Sequence, residues 1–452
     1  MSARPYPLAE SKGHWLLGQL PAFRRDRLRF LTETTCRAPI VRLRLGHKRV
    51  YCLSDPDLIQ DMQVTQHAHM ARERTLREVF ARTMGNSLLT ADGPYWKRQR
   101  RMLAPAFQRQ RVPDYAPIMV QQAAGAAERW QDGQEADIER QMNALTLGIV
   151  TAALFHVDSG NQADLVADAI AELQAIGIRQ LARAVPLPSW LPTSENRRQR
   201  ELSRRVRDVV IAEIRRRRAA SGDGGNDLLD KLIQARDPDT GEQMHDEEIC
   251  DEVITLYLAG YDTTSLALSF CWYELALHPD IEARFHDELD RVLAGRLPTA
   301  DDVDRLPYTQ MLFKETLRLH PPVYFQLREV AEAVEIGGHQ LPAGSILITS
   351  PYAMHRRPDL WDEPQRFDPE RFAGGAERGW HRFRYFPFGG GPRICIGQHF
   401  AVLEGTLLLA TIGRLHRFEL LDPEQRVEME PQITLGPKGG LPLRIRRRVV
   451  NC

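Results

Sequence analysis

Four short runs in this chain carry residue types whose chemistry depends on spacing. The run Phe388-Gly389-Gly390-Gly391-Pro392-Arg393-Ile394-Cys395-Ile396-Gly397 is a glycine-rich loop that delivers a cysteine to an amphipathic segment at 398–415. Unpaired backbone N–H groups and the positive end of a helix dipole favour a thiolate at such a place. Glycines let the backbone come close to a flat, bulky partner. Arg393, two residues before the cysteine, suits pairing with a carboxylate. A lone cysteine in such a loop is more often an inert buried thiol, so this run does not decide the matter by itself.

The other three runs depend on helical geometry. Ala259-Gly260-Tyr261-Asp262-Thr263-Thr264 interrupts the longest apolar block, 246–277. Gly, Asp and Thr are poor helix formers, so placing them mid-helix costs stability and points to a π-turn or a groove at a functional site. The bland alternative is a polar seam facing a neighbouring helix. Glu315 and Arg318 are three apart and share a helix face, ahead of Pro321-Pro322; as an exposed pair they are worth a few tenths of a kcal/mol. Trp96 and Arg100 are four apart, again on one face.

The elements that must position these runs are mostly helical. Apolar residues recur at three- and four-residue spacing over 117–130, 142–155, 163–182, 197–219, 246–277 and 279–293. Strand-like text is confined to about 40–53, 333–350 and 433–446, with Gly337-Gly338 and Pro342-Ala343-Gly344 as turns. Proline and glycine mark loops at 186–192, 221–225, 237–241 and 364–375. The fold class expected is mainly α with a small β-sheet region.

Composition excludes several classes of function. Hydrophobic residues make up 43% and charged ones 27%, as in ordinary globular proteins. The 60 Lys and Arg balance the 60 Asp and Glu, so no overall field draws in nucleic acid. The six cysteines are far apart, without a C-x-x-C pair, which fits a reducing compartment. The apolar residues around Trp15–Leu17 are too few for a signal or spanning segment, and 253–277 is cut by Asp262, Thr263 and Thr264. A cytoplasmic protein without a transmembrane segment is expected. The basic clusters at 197–207 and 215–218 read as solvated helix faces.

Taken together, the four runs resemble the cytochrome P450 family. Phe388, Gly391, Arg393, Cys395 and Gly397 stand at the positions of its heme-binding signature F-x-x-G-x-R-x-C-x-G; Ala259–Thr264 resembles A-G-x-[DE]-T-T; Glu315 and Arg318 resemble E-x-x-R; and Trp96 with Arg100 resembles W-x-x-x-R. The resemblance implies the cytochrome P450 fold as a single domain over 1–452, with heme b between the long central helix and the cysteine helix. It implies that Cys395 is the axial metal ligand, that Phe388 packs near its sulfur, and that Trp96, Arg100, Arg328 and Arg393 bind propionates. Ala259, Gly391 and Gly397 would complete the cofactor site. Glu315, Arg318 and Arg371, the last in Pro369-Glu370-Arg371-Phe372, would form a buried network holding the cysteine loop. Thr263 would hold a water network and Asp262 would feed it protons, so that one oxygen atom can leave as water.

By the same resemblance the substrate pocket draws on 72–89, 173–190, 256–263, 323–326 and 433–435, with Leu256, Tyr261, Val323, Tyr324, Phe325, Gln326 and Leu435 singled out. The implied activity is a monooxygenase inserting one atom of O2 into an apolar small molecule: a fatty acid, terpenoid or steroid. Lys48 or Arg49 is a candidate anchor for a carboxylate at the channel mouth. The sequence has no G-x-G-x-x-G and no iron–sulfur cysteine spacing, so NAD(P)H electrons are expected through a ferredoxin or flavodoxin and its reductase. That donor would dock near Lys97, Arg98, Arg101, Arg382 and Arg384, and the enzyme is expected to be monomeric. The alternatives are a peroxide-driven hydroxylase, a rearranging enzyme on the same scaffold, and a non-catalytic heme-thiolate sensor; the Asp262–Thr263 pair argues against all three.

Overall fold

Helix formation follows the apolar spacing closely. The computed structural model describes residues 5–155, 160–183, 188–219 and 227–448; the loop expected at 221–225, part of that at 186–192 and Cys452 lie outside them. The central helix runs over Asp246–Leu277 and the next over Pro279–Leu293, each as expected. The central helix starts in a capping box of His245 and Glu248, and Asp246, Glu247 and Glu248 crowd its first turn, where negative charge opposes the helix dipole. Pro279, which cannot continue a helix, opens the following one after His278.

Against the central helix pack Ile138–Phe155, Pro307–Leu319 and Gln398–Gly413, with Ala116–Arg129 packed on the first and last of these, and their apolar faces form the largest buried cluster. The segment at 398–415 reads as amphipathic, yet all eleven residues from Leu403 to Gly413 are buried. An all-round apolar helix belongs in the interior of a large core.

The strands form a minor layer. The largest sheet orders Leu8–Glu10, Ile40–Leu45, Lys48–Leu53, Ile346–Thr349, Gln326–Val330 and Met70–Ala71. Gly46, at φ +63°, makes the turn that pairs Leu45 with Lys48. Gly337-Gly338 turns a small hairpin, Val334–Ile336 on His339–Leu341. A three-stranded sheet joins His416–Leu420, Pro442–Arg447 and Glu135–Asp137. While the helix Gly93–Leu103 carries Trp96 and Arg100 as expected, the sequence reading missed the helix Arg74–Met84 and the strands Leu8–Glu10 and Gln326–Val330. These are short or rich in charge, and their pairing partners lie far away in the chain.

One expectation fails. The central helix stays α-helical through Ala259–Thr264, and the π-turn lies at Asp61–Thr65. The polar run is tolerated because its side chains find partners on two sides, as described next.

Candidate active site

The cysteine loop and the central helix face each other across one cavity of about 910 Å³. Cys395, Phe388, Gly389 and Gly397 line one side, and Leu256, Ala259, Asp262 and Thr263 line the other. Trp96, Arg100, Arg328 and Arg393 stand at its edge, and Val323, Phe325 and Gln326 lie in its wall.

The polar run of the central helix divides between two faces. Thr263 donates to the Ala259 carbonyl at 2.9 Å, which satisfies its hydroxyl while both residues border the cavity. Toward the neighbouring helix Ile138–Phe155, Thr146 donates to the Tyr261 carbonyl at 2.9 Å and Ser265 to Asn143 Oδ1 at 2.5 Å. A Cβ on Gly260 would lie 3.1 Å from Val150. Both readings of the run therefore hold, each for one face. Burial pushes the Asp262 carboxyl above its ordinary range, and hydrogen bonds with Gln174 and Thr434 oppose the shift.

Three pocket residues need correction. Tyr261, Tyr324 and Leu435 do not border the main cavity. Tyr261 is buried with its hydroxyl on Gln174 Oε1, because its place on the helix turns it toward the neighbouring helices. Tyr324 donates to the Gln432 carbonyl at 2.9 Å and packs, with Leu435, in a core under the large sheet. Gly391 also lies off the cavity: at φ +65°, a Cβ there would sit 1.9 Å from the Gln63 carbonyl, so it serves a close backbone approach to the π-turn.

The cysteine loop is held from below. Glu315 and Arg318 are fully buried and joined at 2.6 and 2.8 Å, and Arg318 also donates to the carbonyls of His355, Pro364 and Arg366. Glu315 accepts from Asp368 N at 2.8 Å and lies 3.4 Å from Arg371. Burial beside Arg318 holds His355 neutral. Its Nε2 can then accept from Phe386 N at 3.0 Å while Nδ1 donates to the Arg318 carbonyl at 3.2 Å. The network thus reaches the start of the loop, which closes on itself where Cys395 N donates to the Phe388 carbonyl at 3.0 Å.

Opposing effects act on the Cys395 thiol. The Gly397 N–H and Arg100 do favour the thiolate, but desolvation outweighs them and raises the thiol above its ordinary value. A bound metal would reverse that balance, because coordination deprotonates a thiol.

A second group of arginines, buried or half-buried, lines the cavity. Arg393 stacks 4.2 Å over Trp96 and bonds Asp92 at 2.5 Å, while Arg77 lies 3.6 Å from the same carboxylate. Arg328 donates to a backbone carbonyl, and Arg72 Nε has no partner among the described residues. Burial and mutual repulsion push Arg72 well below its ordinary value and Arg328 down to about 10. Positive charge here exceeds what Asp92 can balance, so a flat group bearing two carboxylates, with a thiolate beneath it, fits the site. Arg72 entered the sequence reading only as the start of the pocket segment 72–89, because no spacing links it to Arg328 or Arg393; only folding joins them.

The cytochrome P450 family model matches residues 8–443. The chain belongs to the cytochrome P450 family. Heme is the cofactor that family membership implies. The chain is 36% identical to a cyclooctatin synthase of Streptomyces melanosporofaciens over 96% of this chain and 94% of that one. It is 34% identical to a cyclooctat-9-en-7-ol 5-monooxygenase of the same organism, over 91% and 89%. A pentalenene oxygenase of Streptomyces avermitilis is 31% identical over 91% and 89%. A crystal structure of a cytochrome P450DA heme domain superposes with a TM-score of 0.87 at 26% identity, covering 99% of both chains. The protein is accordingly an oxidoreductase of the P450 monooxygenase class with the P450 fold. Among the described residues no helix is long and apolar enough to cross a membrane.

Proposed function

We propose that this P450 holds heme b through the Cys395 thiolate and hydroxylates a terpenoid lying against the central helix. The observation that carries the reading is the juxtaposition of Cys395, Asp262 and Thr263 around one apolar cavity, with unbalanced arginines at its edge. Bound there, heme supplies the activation of O2, and thiolate donation favours cleavage of the O–O bond. Trp96, Arg72, Arg100, Arg328 and Arg393 hold its carboxylates, and Gly389 and Gly397 let the loop approach its face. Thr263 holds water beside the reacting oxygen. Asp262, whose carboxyl burial raises above its ordinary range, passes protons to that water. Per turnover the substrate gains one oxygen atom and the other leaves as water, using two electrons and two protons.

A terpenoid is favoured over a fatty acid on two grounds. The relatives above include oxygenases named for terpenoid substrates. Of the two candidate carboxylate anchors, Lys48 is already held by Glu73 at 2.5 Å and Thr75 at 2.8 Å, and Arg49 is exposed and does not border the cavity. The wall nearest the substrate is apolar, with Val79, Phe80, Leu173, Leu256 and Phe325. Electrons come from NAD(P)H through a ferredoxin or flavodoxin and its reductase. Among the basic residues suggested for docking, Arg98 and Arg101 are engaged with Asp237, Asp239 and Glu248, and Arg384 stacks on Trp361 and Trp380 at 4.6 and 4.5 Å, which leaves Lys97 and Arg382 as the better candidates. On this reading residues 1–452 form one domain that works as a cytoplasmic monomer.

The test is the carbon monoxide difference spectrum of the dithionite-reduced protein, followed by spin-shift titrations with terpenoids and fatty acids. A strongly red-shifted Soret band that is lost in Cys395→Ser supports the ligand assignment; a red-shifted band retained in the variant refutes it. Spin shifts with fatty acids alone refute the substrate assignment. Thr263→Ala should bind substrate with unchanged affinity but divert most reducing equivalents to hydrogen peroxide, and full coupling in that variant would sink the relay.

A further inference from the structure

Trp15, Leu16 and Leu17 form the largest run of exposed apolar side chains among the described residues, at 79%, 56% and 40% exposure. Isolated exposed apolar residues are ordinary, whereas three in succession at the tip of a turn mark a contact surface. The tip is built, not frayed. His14 and Gly18 exchange backbone hydrogen bonds at 2.8 Å, and Leu17 O accepts from Gly46 N at 3.0 Å, strapping the turn to the hairpin of Ile40–Leu45 and Lys48–Leu53. Arg44 donates to the carbonyls of His14 and Trp15.

The charge around this tip is one-sided. Between Leu8 and Leu53 the chain has ten Lys and Arg against three Asp and Glu, although over its whole length the two are equal at 60 each. Arg44 stands directly opposite Arg49 in the hairpin, a like-charge cross-strand pair that costs stability. Lys12, Arg25, Arg44 and Arg49 are all exposed. The tip leads directly into the helix Leu20–Arg25, whose Phe23 lines the cavity and meets Phe325 edge-on at 6.4 Å; Arg27 lines it too.

We infer that the Trp15–Leu17 tip and its basic surround dock this enzyme on an anionic lipid surface. An aromatic and two leucines reach into the headgroup boundary while the arginines and lysines meet acidic headgroups. This orientation sets Phe23 and Arg27 toward the bilayer, so an apolar substrate dissolved in lipid reaches the cavity without crossing water. The surface requires no spanning helix, and its binding is independent of which substrate the cavity takes.

The test uses full-length, heme-loaded protein sedimented with vesicles of phosphatidylcholine alone or mixed equally with phosphatidylglycerol. The protein should partition onto the mixed vesicles, and Trp15→Ser/Leu16→Ser/Leu17→Ser should lower that partitioning by about ten-fold or more while leaving the carbon monoxide spectrum intact. Lys12→Glu/Arg25→Glu should lower it several-fold at low salt and little at high salt. Absence of binding to mixed vesicles overturns the inference, as does binding that ignores the tip variant. Equal binding to both vesicle types removes the electrostatic half. A dimer in sedimentation equilibrium that the tip variant converts to monomer, without vesicle binding, would reassign the tip to self-association.

Discussion

Two sets of arginines divide the labour in this molecule. Arg318 sits at zero exposure with a carboxylate at 2.6 Å and three backbone carbonyls around its fork, so its positive charge is matched within the protein. Arg328 is also buried and Arg72 and Arg393 are partly so, yet they share the carboxylate of Asp92, and Arg72 Nε is left without a partner among the described residues. A buried charge is stable only when paired. The first set is complete and supports the cysteine loop; the second is incomplete and therefore implies an anionic guest.

The largest effect should follow from breaking the complete set. Glu315→Ala leaves Arg318 buried without its carboxylate, which should cost about 3–5 kcal/mol and most of the bound heme. Heme content and thermal melting read this directly, and a normally loaded, normally stable variant would show that the pair is dispensable. In the incomplete set the sign should depend on the guest. Arg72→Leu removes an unmatched charge, so heme-free protein should gain about 1 kcal/mol, whereas loaded protein should lose heme about ten-fold faster. Destabilisation of both forms would mean that Arg72 is already balanced. Asp92→Asn should do the reverse, costing heme-free protein about 2 kcal/mol and the loaded protein less, as compared by denaturant unfolding of the two forms.

A pH-dependent effect concerns a buried acid without a cation. Both oxygens of Glu404 lack partners in the hydrogen-bond geometry, and burial raises its carboxyl from 4.5 to about 8 despite the nearby Thr264 hydroxyl. The folded state therefore holds this proton more tightly than the unfolded one. Its stability contribution is full below pH 4.5 and falls as pH rises toward about 8. Glu404→Gln should flatten the stability–pH curve across that window; an unchanged slope would show that the carboxyl ionises freely.

What could be read from the chain was what lies close together along it. The central helix over Asp246–Leu277 came from its own periodicity, and the cysteine loop, Glu315 with Arg318, and Trp96 with Arg100 came from spacings within a single turn or helix. The strand Gln326–Val330 was hidden because Arg328 and Glu329 stand side by side within it, Arg328 itself buried, and its neighbour Met70–Ala71 is remote in the chain. Within the arginine cluster Arg328 and Arg393 were named from the resemblance, whereas the part of Arg72 and Asp92 in it was hidden, because they meet those two only in space.

Thus the sequence by itself determined the family, the cysteine, the acid–alcohol pair and the helical majority, because local backbone propensity and short fixed spacings carry that information. Tertiary structure decided which way each residue faces. It turned Tyr261, Tyr324 and Leu435 into other cores, spent Gly391 on the π-turn, and set Arg72 beside Arg328 and Arg393. A side chain's direction depends on what packs around its helix or strand, and that is settled by contacts between segments hundreds of residues apart.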